Sequence, residues 1–443
     1  MKPSIRLSQC MIVKNEEKNI RRALSWGKGI VCEQIVVDTG STDQTVEIAK
    51  EMGAKVLYFP WVNDFSAAKN FAIEQAKGNW IAFLDADEYF SPEEAKKILP
   101  LIKRLEKMFY PSLRPHSIVH LLANLDINGN VANTGAQERI FRNMPNLRYK
   151  NRIHEMLGLT DGGQVFALNM IKELTIFHTG YTSEAFKEQN KEERNISMIQ
   201  MELEEHPEDD GLWSYLADSL SAAGRKEEAE KIYLRIIENP EAAIGEIRKN
   251  TNWANLLKVR YQRNSCGEEE MLYAYQKAKN GGYTSPDVDF WLGEWFYRKG
   301  DEENGKKHLE QALQLLEQYT DTADLDLPGQ LFLVYQQLCF SSYKRELLQE
   351  AIRYGVLALR REPYRIDVLS VILLLLKREP GEEETAEGTF AFLSKLYDLS
   401  SFKNKAFLVK SSEKNLFPSL TKKLEALLSE KEKEFLADAG EIF

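Results

Sequence analysis

This sequence has few cysteines, no long apolar segment and no excess of basic residues. Its four cysteines are scattered over 443 residues without a CxxC pair, which favours reduced thiols in a cytoplasmic protein. No run reaches the roughly eighteen apolar residues that span a bilayer, and no signal-peptide core precedes the charges that resume at Lys14. The formal net charge of -10 argues against non-specific nucleic-acid binding. We therefore expect a cytoplasmic protein that neither spans a membrane nor binds nucleic acid.

Four short apolar runs, each ending in polar residues, predict an α/β domain in the first part of the chain. The runs are residues 9–13, 34–37, 55–59 and 80–84. A helix-like segment follows each run, and strands that alternate with helices imply a parallel, doubly wound sheet. Ligands bind such sheets at the carboxyl ends of the strands. We therefore expect the polar residues after these runs to lie along one edge.

The most informative segment is GNWIAFLDADE, residues 78–88, in which an apolar strand delivers Asp85 and Asp87. Residues i and i+2 of an extended chain project in the same direction, so the two carboxylates can share one divalent cation. A cation held by one or two carboxylates keeps positions that phosphate oxygens fill well, which indicates a nucleoside diphosphate as the ligand. The alternative is a solvated turn that caps the helix beginning near Ser91.

Four segments taken together resemble a known family. They are CMIVKNEE (10–17), VVDTGSTDQT (36–45), DFSAAKN (64–70) and GNWIAFLDADE (78–88), and their order and spacing fit as well as their content. Over residues 5–180 the sequence looks like a glycosyltransferase of family 2 with the GT-A fold. The resemblance implies a transferase that uses a nucleotide-activated sugar and a divalent metal, Mn or Mg. The implied donor is a UDP-sugar, with UDP-glucose as the first guess.

The resemblance also implies roles for individual residues. The implied donor-binding set is Val13, Asn15, Glu16, Asp38, Ser41, Lys69, Asp85, Ala86 and Asp87. Within it, Asp38 would contact base or ribose, and Asp85 and Asp87 would hold ribose and metal. Lys69 could neutralise the diphosphate, or it could be a surface lysine whose stem snorkels along its helix. His178 could complete the metal shell from across the site, or be a structural histidine at a domain junction.

Two segments resemble the acceptor side of a subgroup of this family that carries an IHE-like strand. They are QERIFRN (137–143) and YKNRIHEM (149–156). Inverting transfer needs a general base that removes the acceptor's proton as the acceptor attacks the anomeric carbon. Glu155 is the first candidate for this catalytic base, and Glu138 and His154 are the substitutes. Arg139 and Arg142 could fix phosphate or form the solvent face of an alternating strand.

Beyond Tyr181, short strands give way to long amphipathic helices. Spacing that resembles a tetratricopeptide repeat occurs in residues 211–240, 292–312 and 338–363, with a degenerate unit at 250–280. Aromatic residues in this region could form a sugar or peptide platform, or they could be core: Trp253, Trp291 and Trp295. The array could select the acceptor, or it could mediate self-association as a homodimer.

These features predict a GT-A domain at residues 1–182, tetratricopeptide-like helical repeats at 183–379 and a C-terminal helical extension at 380–443. The predicted reaction is metal-dependent, inverting transfer of a hexose from a UDP-sugar to a peptide or protein side chain. Relatives of similar layout include enzymes that glycosylate secreted bacterial peptides. Two alternatives remain: a lipid-linked or lipopolysaccharide glycan as the acceptor, and an inactive transferase that serves as a repeat-based binding scaffold.

Overall fold

The computed structural model describes residues 5–110, 113–126, 129–179, 189–320, 325–377 and 382–438. Contacts divide the chain into two compact units, Met1–Leu292 with Gln311–Pro328 and Gly293–Glu310 with Gly329–Phe443. The first unit thus holds the α/β domain together with the first helices that follow it. The boundaries expected at 182 and 380 fall outside the described residues, so the division into three domains stays a prediction.

Strands and helices alternate through the first part of the chain, as predicted. In chain order they are β1 (Leu7–Val13), α1 (Ile20–Ser25), β2 (Glu33–Asp38), α2 (Thr45–Glu51), β3 (Lys55–Tyr58), α3 (Phe65–Glu74), β4 (Trp80–Phe83), β5 (Glu88–Tyr89), α4 (Pro92–Met108), β6 (Ser117–Leu125), β7 (Val131–Arg142), β8 (Leu147–Lys150), β9 (Met156–Leu159), β10 (Ala167–Asn169) and β11 (Thr175–His178). The four predicted strands correspond to β1, β2, β3 and β4.

The main sheet has the strand order β3-β2-β1-β4-β7-β6-β11-β5, with β10 beside β6. Strands β3, β2, β1 and β4 run parallel to one another, as predicted. Strand β7 is antiparallel to both β4 and β6, so the sheet as a whole is mixed rather than parallel. The short connection from β6 to β7 explains the difference, because only antiparallel neighbours can be joined without a long crossover. Strands β8 and β9 pair as a separate hairpin.

Apolar cores lie on both faces of this sheet. Strand β4 is buried along its whole length, with Ile81 and Phe83 in one core and Trp80 and Ala82 in the other. Helix α3 covers the first core and helix α4 the second. Burial on both faces is typical of a central strand in an α/β sheet. It fixes the direction of β4 and therefore the place of the residues that follow Phe83.

The two helices that flank β4 begin at side-chain caps. Asp64 precedes α3 and accepts a hydrogen bond from Ala67 N at 2.8 Å. Ser91 precedes α4 and accepts one from Glu94 N at 3.2 Å, and Pro92 occupies the first turn of that helix. Such caps satisfy backbone N–H groups that have no partner within the helix. The sequence therefore determines where both helices start.

Helices continue through the described chain from residue 189 onward. They are α5 (Gln189–Glu205), α6 (Asp210–Ala222), α7 (Lys226–Glu238), α8 (Glu246–Arg263), α9 (Glu268–Asn280), α10 (Pro286–Lys299), α11 (Glu302–Gln318), α12 (Leu327–Lys344), α13 (Leu348–Arg361), α14 (Ile366–Leu376), α15 (Glu382–Leu396), α16 (Phe402–Lys414), α17 (Pro418–Glu425) and α18 (Glu430–Asp438). Each expected repeat copy coincides with a helix pair: α6 with α7, α10 with α11, and α12 with α13. The degenerate unit coincides with α8 and α9.

Small residues allow paired helices to approach, as the repeat interpretation requires. A Cβ atom at Gly293 would lie 2.9 Å from Leu309 Cδ2 on the paired helix α11, and one at Gly355 would lie 3.2 Å from Cys339 Sγ on the paired helix α12. The candidate platform residues are buried: Trp253, Trp291 and Trp295. The core interpretation of these tryptophans is therefore correct and the platform interpretation is wrong. Among the described helices, none is both long and apolar enough to cross a bilayer.

Candidate functional site

The loops after β1 and β2 are held together by side-chain hydrogen bonds. Asn15 N donates to Ser41 Oγ at 2.9 Å, and Thr42 N donates to Asn15 Oδ1 at 2.8 Å. Glu16 N donates to Thr45 Oγ1 at 2.7 Å. Asn15 has a left-handed backbone with a φ of 57°, which asparagine tolerates better than most residues. The residues expected to line the nucleoside pocket thus belong to two cross-linked loops at neighbouring strand ends.

Asp38 ends β2 and is buried at the base of the second loop. Its carboxylate accepts hydrogen bonds from Gly40 N and Ser41 N, both at 3.1 Å. The carbonyl of Val13, the last residue of β1, accepts one from Thr39 N at 3.0 Å. These contacts fix the carboxyl ends of β1 and β2 side by side.

Asp85 lies between two buried cations at the end of β4. Its Oδ2 atom is 2.5 Å from Arg139 Nη2, and its Oδ1 atom is 3.5 Å from Lys69 Nζ. Burial alone would raise the pKa of Asp85, but the charges of Arg139 and Lys69 outweigh it and hold the pKa well below its usual value. The carboxylate is therefore ionised with both oxygens engaged. The next residue, Ala86, packs its side chain in the apolar core around Met11.

The Lys69 ammonium is enclosed, since only 2% of the side chain is exposed. Besides Asp85, its Nζ atom pairs with Glu155 Oε1. The same atom lies 5.4 Å from the ring centroid of Phe83 and 5.1 Å from that of Tyr149. Burial lowers the pKa of Lys69, but the two carboxylates raise it by more, so the ammonium stays charged. The interpretation of Lys69 as a snorkelling surface lysine is therefore wrong.

Arg139 on β7 belongs to the same charged cluster. Its Nη2 atom lies 2.6 Å from Glu88 Oε1 in addition to its contact with Asp85. Its Nε atom is buried and has no hydrogen-bond partner among the described residues. Arg142 lies elsewhere, where it pairs with Glu106 at 2.7 Å. Neither arginine forms a solvent face, so that alternative is wrong for both.

Asp87 and His178 come together because β11 pairs with β5. This antiparallel pairing sets His178 opposite Glu88. His178 Nε2 then lies 3.0 Å from Asp87 Oδ2, and its Nδ1 atom donates to Asn124 Oδ1 at 2.5 Å. Burial lowers the pKa of His178, but the hydrogen bond to Asp87 and the nearby carboxylates raise it by more. The structure thus places His178 next to Asp87, and its role as a metal ligand stays a prediction.

Asp87 and His178 carry atoms that can ligate a divalent cation. Asp87 offers a carboxylate oxygen, and the hydrogen bond from His178 Nδ1 to Asn124 directs Nε2 toward the same point. Asp85, the other predicted metal ligand, is already in contact with Arg139 and Lys69. Within the residues that the structure describes, no group of three or more His, Cys, Asp or Glu side chains forms a metal site. A cation held here would therefore need further oxygens, which a bound diphosphate supplies.

Glu155 reaches the cluster from the loop between β8 and β9. Two hydrogen bonds fix this loop on α3, from Phe65 N to Arg152 O at 2.9 Å and from Ser66 Oγ to Asn151 O at 2.6 Å. The Glu155 side chain is 15% exposed. Its ion pair with Lys69 therefore holds a partly accessible carboxylate next to Asp85.

The substitute bases Glu138 and His154 lie outside the cluster. Glu138 accepts a hydrogen bond from Ser117 Oγ at 2.6 Å, on the face of β7 opposite to Arg139. His154 stacks on Tyr215 of α6, with ring centroids 3.9 Å apart and an interplanar angle of 7°. Burial is the main cause that lowers the pKa of His154 to about 4. The geometry therefore favours Glu155 over both.

The sequence patterns indicated no role for Glu88 or Asn124. Glu88 pairs with Arg139 in the charged cluster, and Asn124 contacts His178. Glu88 is 2% exposed and follows the two aspartates directly. Carboxylates are rarely buried without a partner, so a glutamate in a strand-like segment could have signalled a cation nearby. Asn124 is a buried polar residue near the end of the apolar strand β6. Only its contact with His178 reveals what it does.

Residues 8–162 match the family model described as "Glycosyl transferase family 2". A TPR repeat-containing protein of Synechococcus elongatus is 33% identical over 230 residues, which are 51% of this chain and 55% of the relative. The SPbeta prophage-derived glycosyltransferase SunS of Bacillus subtilis is 30% identical over 231 residues, which are 52% of each chain. This chain thus spans about half the length of the curated relatives it matches.

Among solved structures, TarS 1-349 of S. aureus in complex with UDP-GlcNAc is similar over 72% of this chain and 93% of that chain. The sequence identity is 15% and the TM-score is 0.33.

Proposed function

Because residues 8–162 match the glycosyl transferase family 2 model, we propose that this protein transfers a hexose from a UDP-sugar to a peptide or protein side chain, with inversion and with a divalent cation. One observation carries the proposal. The Asp87–His178 pair lies beside the Asp85–Arg139–Lys69 cluster, at the edge where β1, β2 and β4 end. This edge is where an α/β sheet binds its ligand.

The donor nucleoside occupies the cross-linked loops after β1 and β2. Val13, Asn15 and Glu16 provide one wall of this pocket, and Asp38 with the loop at Ser41 provides the other. The hydrogen bonds between the loops hold the pocket in shape before a donor arrives. A preformed pocket loses little conformational entropy on binding.

Asp87 and His178 hold the cation, which neutralises charge on the leaving diphosphate when bound. We assign to Asp85, which Arg139 fixes, the contact with the ribose, through the Oδ1 atom that lies 3.5 Å from Lys69 Nζ. Lys69 itself is too enclosed to reach the diphosphate. We therefore assign Lys69 to the support of Asp85 and Glu155 rather than to direct contact with the donor.

Glu155 removes the proton from the acceptor. The acceptor's oxygen or sulfur forms a bond to the anomeric carbon while the bond from that carbon to the diphosphate oxygen breaks. The bonding electrons leave on UDP, and the acceptor's proton passes to a Glu155 oxygen. Attack on the face opposite the leaving group inverts the configuration. Glu155 is suited to this step because its carboxylate is partly exposed and is held by Lys69.

A screen of nucleotide sugars tests the proposal. Purified protein is incubated with UDP-glucose, UDP-galactose, UDP-N-acetylglucosamine, UDP-N-acetylgalactosamine or GDP-mannose, each with Mn or with chelator. We expect metal-dependent release of UDP from one donor, and UDP-glucose is the first to test. The variant Asp87→Asn should lose this release. Glu208→Gln, whose side chain is 77% exposed, is the matched control that should keep it.

Two results would contradict the proposal. Failure to bind any donor, with or without Mn, would favour a scaffold that has lost transferase activity. If the protein hydrolyses a donor in a metal-dependent manner and transfers the sugar to glycans but to no tested peptide, the transferase activity stands. The acceptor is then a glycan and not a peptide. Mass spectrometry of the acceptor decides the second point, because a transferred hexose adds a fixed mass to one side chain.

A further inference from the structure

The loop that carries Glu155 contains left-handed backbone conformations, which need contacts outside the loop to hold them. Residues 151–155 join β8 to β9, and two of them have left-handed backbones, Asn151 with a φ of 73° and His154 with a φ of 52°. Left-handed conformations are uncommon for residues other than glycine, and they persist where the surroundings hold them. Helix α3 supplies one set of contacts to this loop. The other set comes from the helical region.

Two helices of the first unit, α5 and α6, hold the loop from its other side. The imidazole of His154 stacks on the ring of Tyr215 in α6. The guanidinium of Arg152 pairs with Glu205 at 2.7 Å and with Glu202 at 3.3 Å, both on α5. These contacts lie on the two sides of Ile153, which is itself 4% exposed. The loop is therefore anchored by helices on both flanks of its buried residue.

The tyrosine that receives His154 is itself fixed by a second layer of contacts. The guanidinium carbon of Arg248, on α8, lies 4.3 Å from the ring centroid of Tyr215. Arg248 pairs with Asp218, which also accepts hydrogen bonds from Tyr233 Oη at 2.5 Å and from Asn255 Nδ2 at 2.9 Å. Tyr215 therefore has a defined position between the loop and the first helix pairs.

From these contacts we infer that Tyr215 is a positioning residue: the first repeat helices set the place of Glu155 through the stack of His154 on Tyr215. The inference rests on the proposed function for the role of Glu155, and on the structure alone for the anchoring of the loop. It gives the repeats a part in the transferase site itself, in addition to any part in acceptor choice. Neutrality of His154 suits this role, since an uncharged ring costs less free energy to bury against Tyr215 than a charged ring would.

The test compares Tyr215→Ala, Tyr215→Phe and Trp213→Ala in the full chain. Trp213 is on the same helix, and its ring packs on Arg235 rather than on the loop, which makes it a matched control. Two readouts are taken: hydrogen exchange of the amides in residues 151–155, and the kcat and KM for Mn-dependent hydrolysis of the active UDP-sugar. Loss of one aromatic stack should raise loop exchange about threefold to tenfold and lower kcat by a similar factor.

We expect Tyr215→Ala to show both changes with an unaltered KM for the donor, and Tyr215→Phe and Trp213→Ala to behave as wild type. Unchanged exchange of residues 151–155 in Tyr215→Ala would overturn the inference. If Tyr215→Ala unfolds, Tyr215→Leu replaces it, since leucine keeps apolar volume in α6 but removes the ring on which His154 stacks. If wild type hydrolyses no donor, the proposed function fails, whereas loop exchange still decides whether the helices anchor the loop.

Discussion

Replacement of Lys69 by methionine should destabilise the α/β domain far more than the loss of a surface ion pair would. Methionine keeps most of the apolar stem that packs between Phe83 and Tyr149, so the substitution mainly removes the charge. Removal of one partner from a buried ion pair leaves the other charge without compensation. The cost of such a change is about 3–5 kcal/mol.

The structure places the expected loss near the lower end of that range. In this variant the Oδ2 atom of Asp85 keeps its contact with Arg139 Nη2 at 2.5 Å, and the Asp85 side chain is 38% exposed. The charge of Asp85 therefore stays compensated. Glu155, at 15% exposed, loses its ion-pair partner. We therefore expect a loss of about 3 kcal/mol in the free energy of unfolding of this domain. In the double variant Lys69→Met with Glu155→Gln, the loss should be smaller than the sum of the single losses by about 1–2 kcal/mol.

Thiol labelling against urea concentration measures this effect within the domain. Cys10 lies in β1 and is fully buried, so its labelling reports the opening of the sheet. Mass spectrometry separates the Cys10 peptide from those of the exposed Cys32 and of Cys266 and Cys339. The control is Glu51→Gln, which breaks the exposed pair with Arg21 and should cost less than about 0.5 kcal/mol. If Lys69→Met labels Cys10 at the same urea concentration as Glu51→Gln, or if the double variant is additive, the enclosed ion pair is refuted.

Three other predictions concern the metal pair, the base and pH. Asn124→Ala should weaken Mn binding in the presence of UDP by about 10- to 100-fold, because it frees His178 Nδ1, and Asp87→Asn should weaken it more; isothermal titration measures both. Equal affinity in Asn124→Ala and wild type would remove the orienting role of Asn124. Glu155→Gln should slow transfer to the acceptor by about 100- to 10,000-fold with little change in UDP affinity, as measured by transfer kinetics and titration. Retention of full transfer would exclude Glu155 as the base. The pKa of Asp85 is lower in the folded protein than the value of about 3.9 in an unfolded chain, so its stabilising contribution is present above about pH 4 and is lost as pH falls below it. The urea midpoint at Cys10 should therefore fall between pH 5 and pH 3 by less in Asp85→Asn than in wild type, and parallel curves would contradict this.

Local patterns were enough to locate the strand ends that build the site. The apolar runs of β1, β2 and β4 stop at polar residues, and parallel strands bring their carboxyl ends to one edge. The four repeat-like segments likewise coincide with helix pairs, because small residues at fixed spacing are a local signal. The mixed character of the sheet was not predictable in the same way, since β7 carries no mark of its direction.

Lys69 shows a signal that was present in the sequence but was weighed wrongly. In α3 the buried residues include Ala68, Ala72 and Ile73, and Lys69 shares their face of the helix. Helical spacing of three and four residues therefore pointed Lys69 into the core. A lysine is rarely buried without a partner, so the pattern implied carboxylates nearby. The two that pair with it lie on β4 and on the β8–β9 loop, and no local rule could name them.

The position of Arg139 could not be predicted from local sequence patterns at all. Because successive side chains of a strand point to opposite faces, Arg139 and Glu138 lie on opposite faces of β7. This alternation does not predict which of the two faces lies next to Asp85. The register of β7 against β4 decides it, because the pairing of Ala82 with Ile140 sets Arg139 next to the end of β4, where Asp85 follows. A slip of one residue would instead bring Glu138 toward Asp85, and two carboxylates would repel. The ion pair between Arg139 and Asp85 is therefore a consequence of the register and also one reason for it.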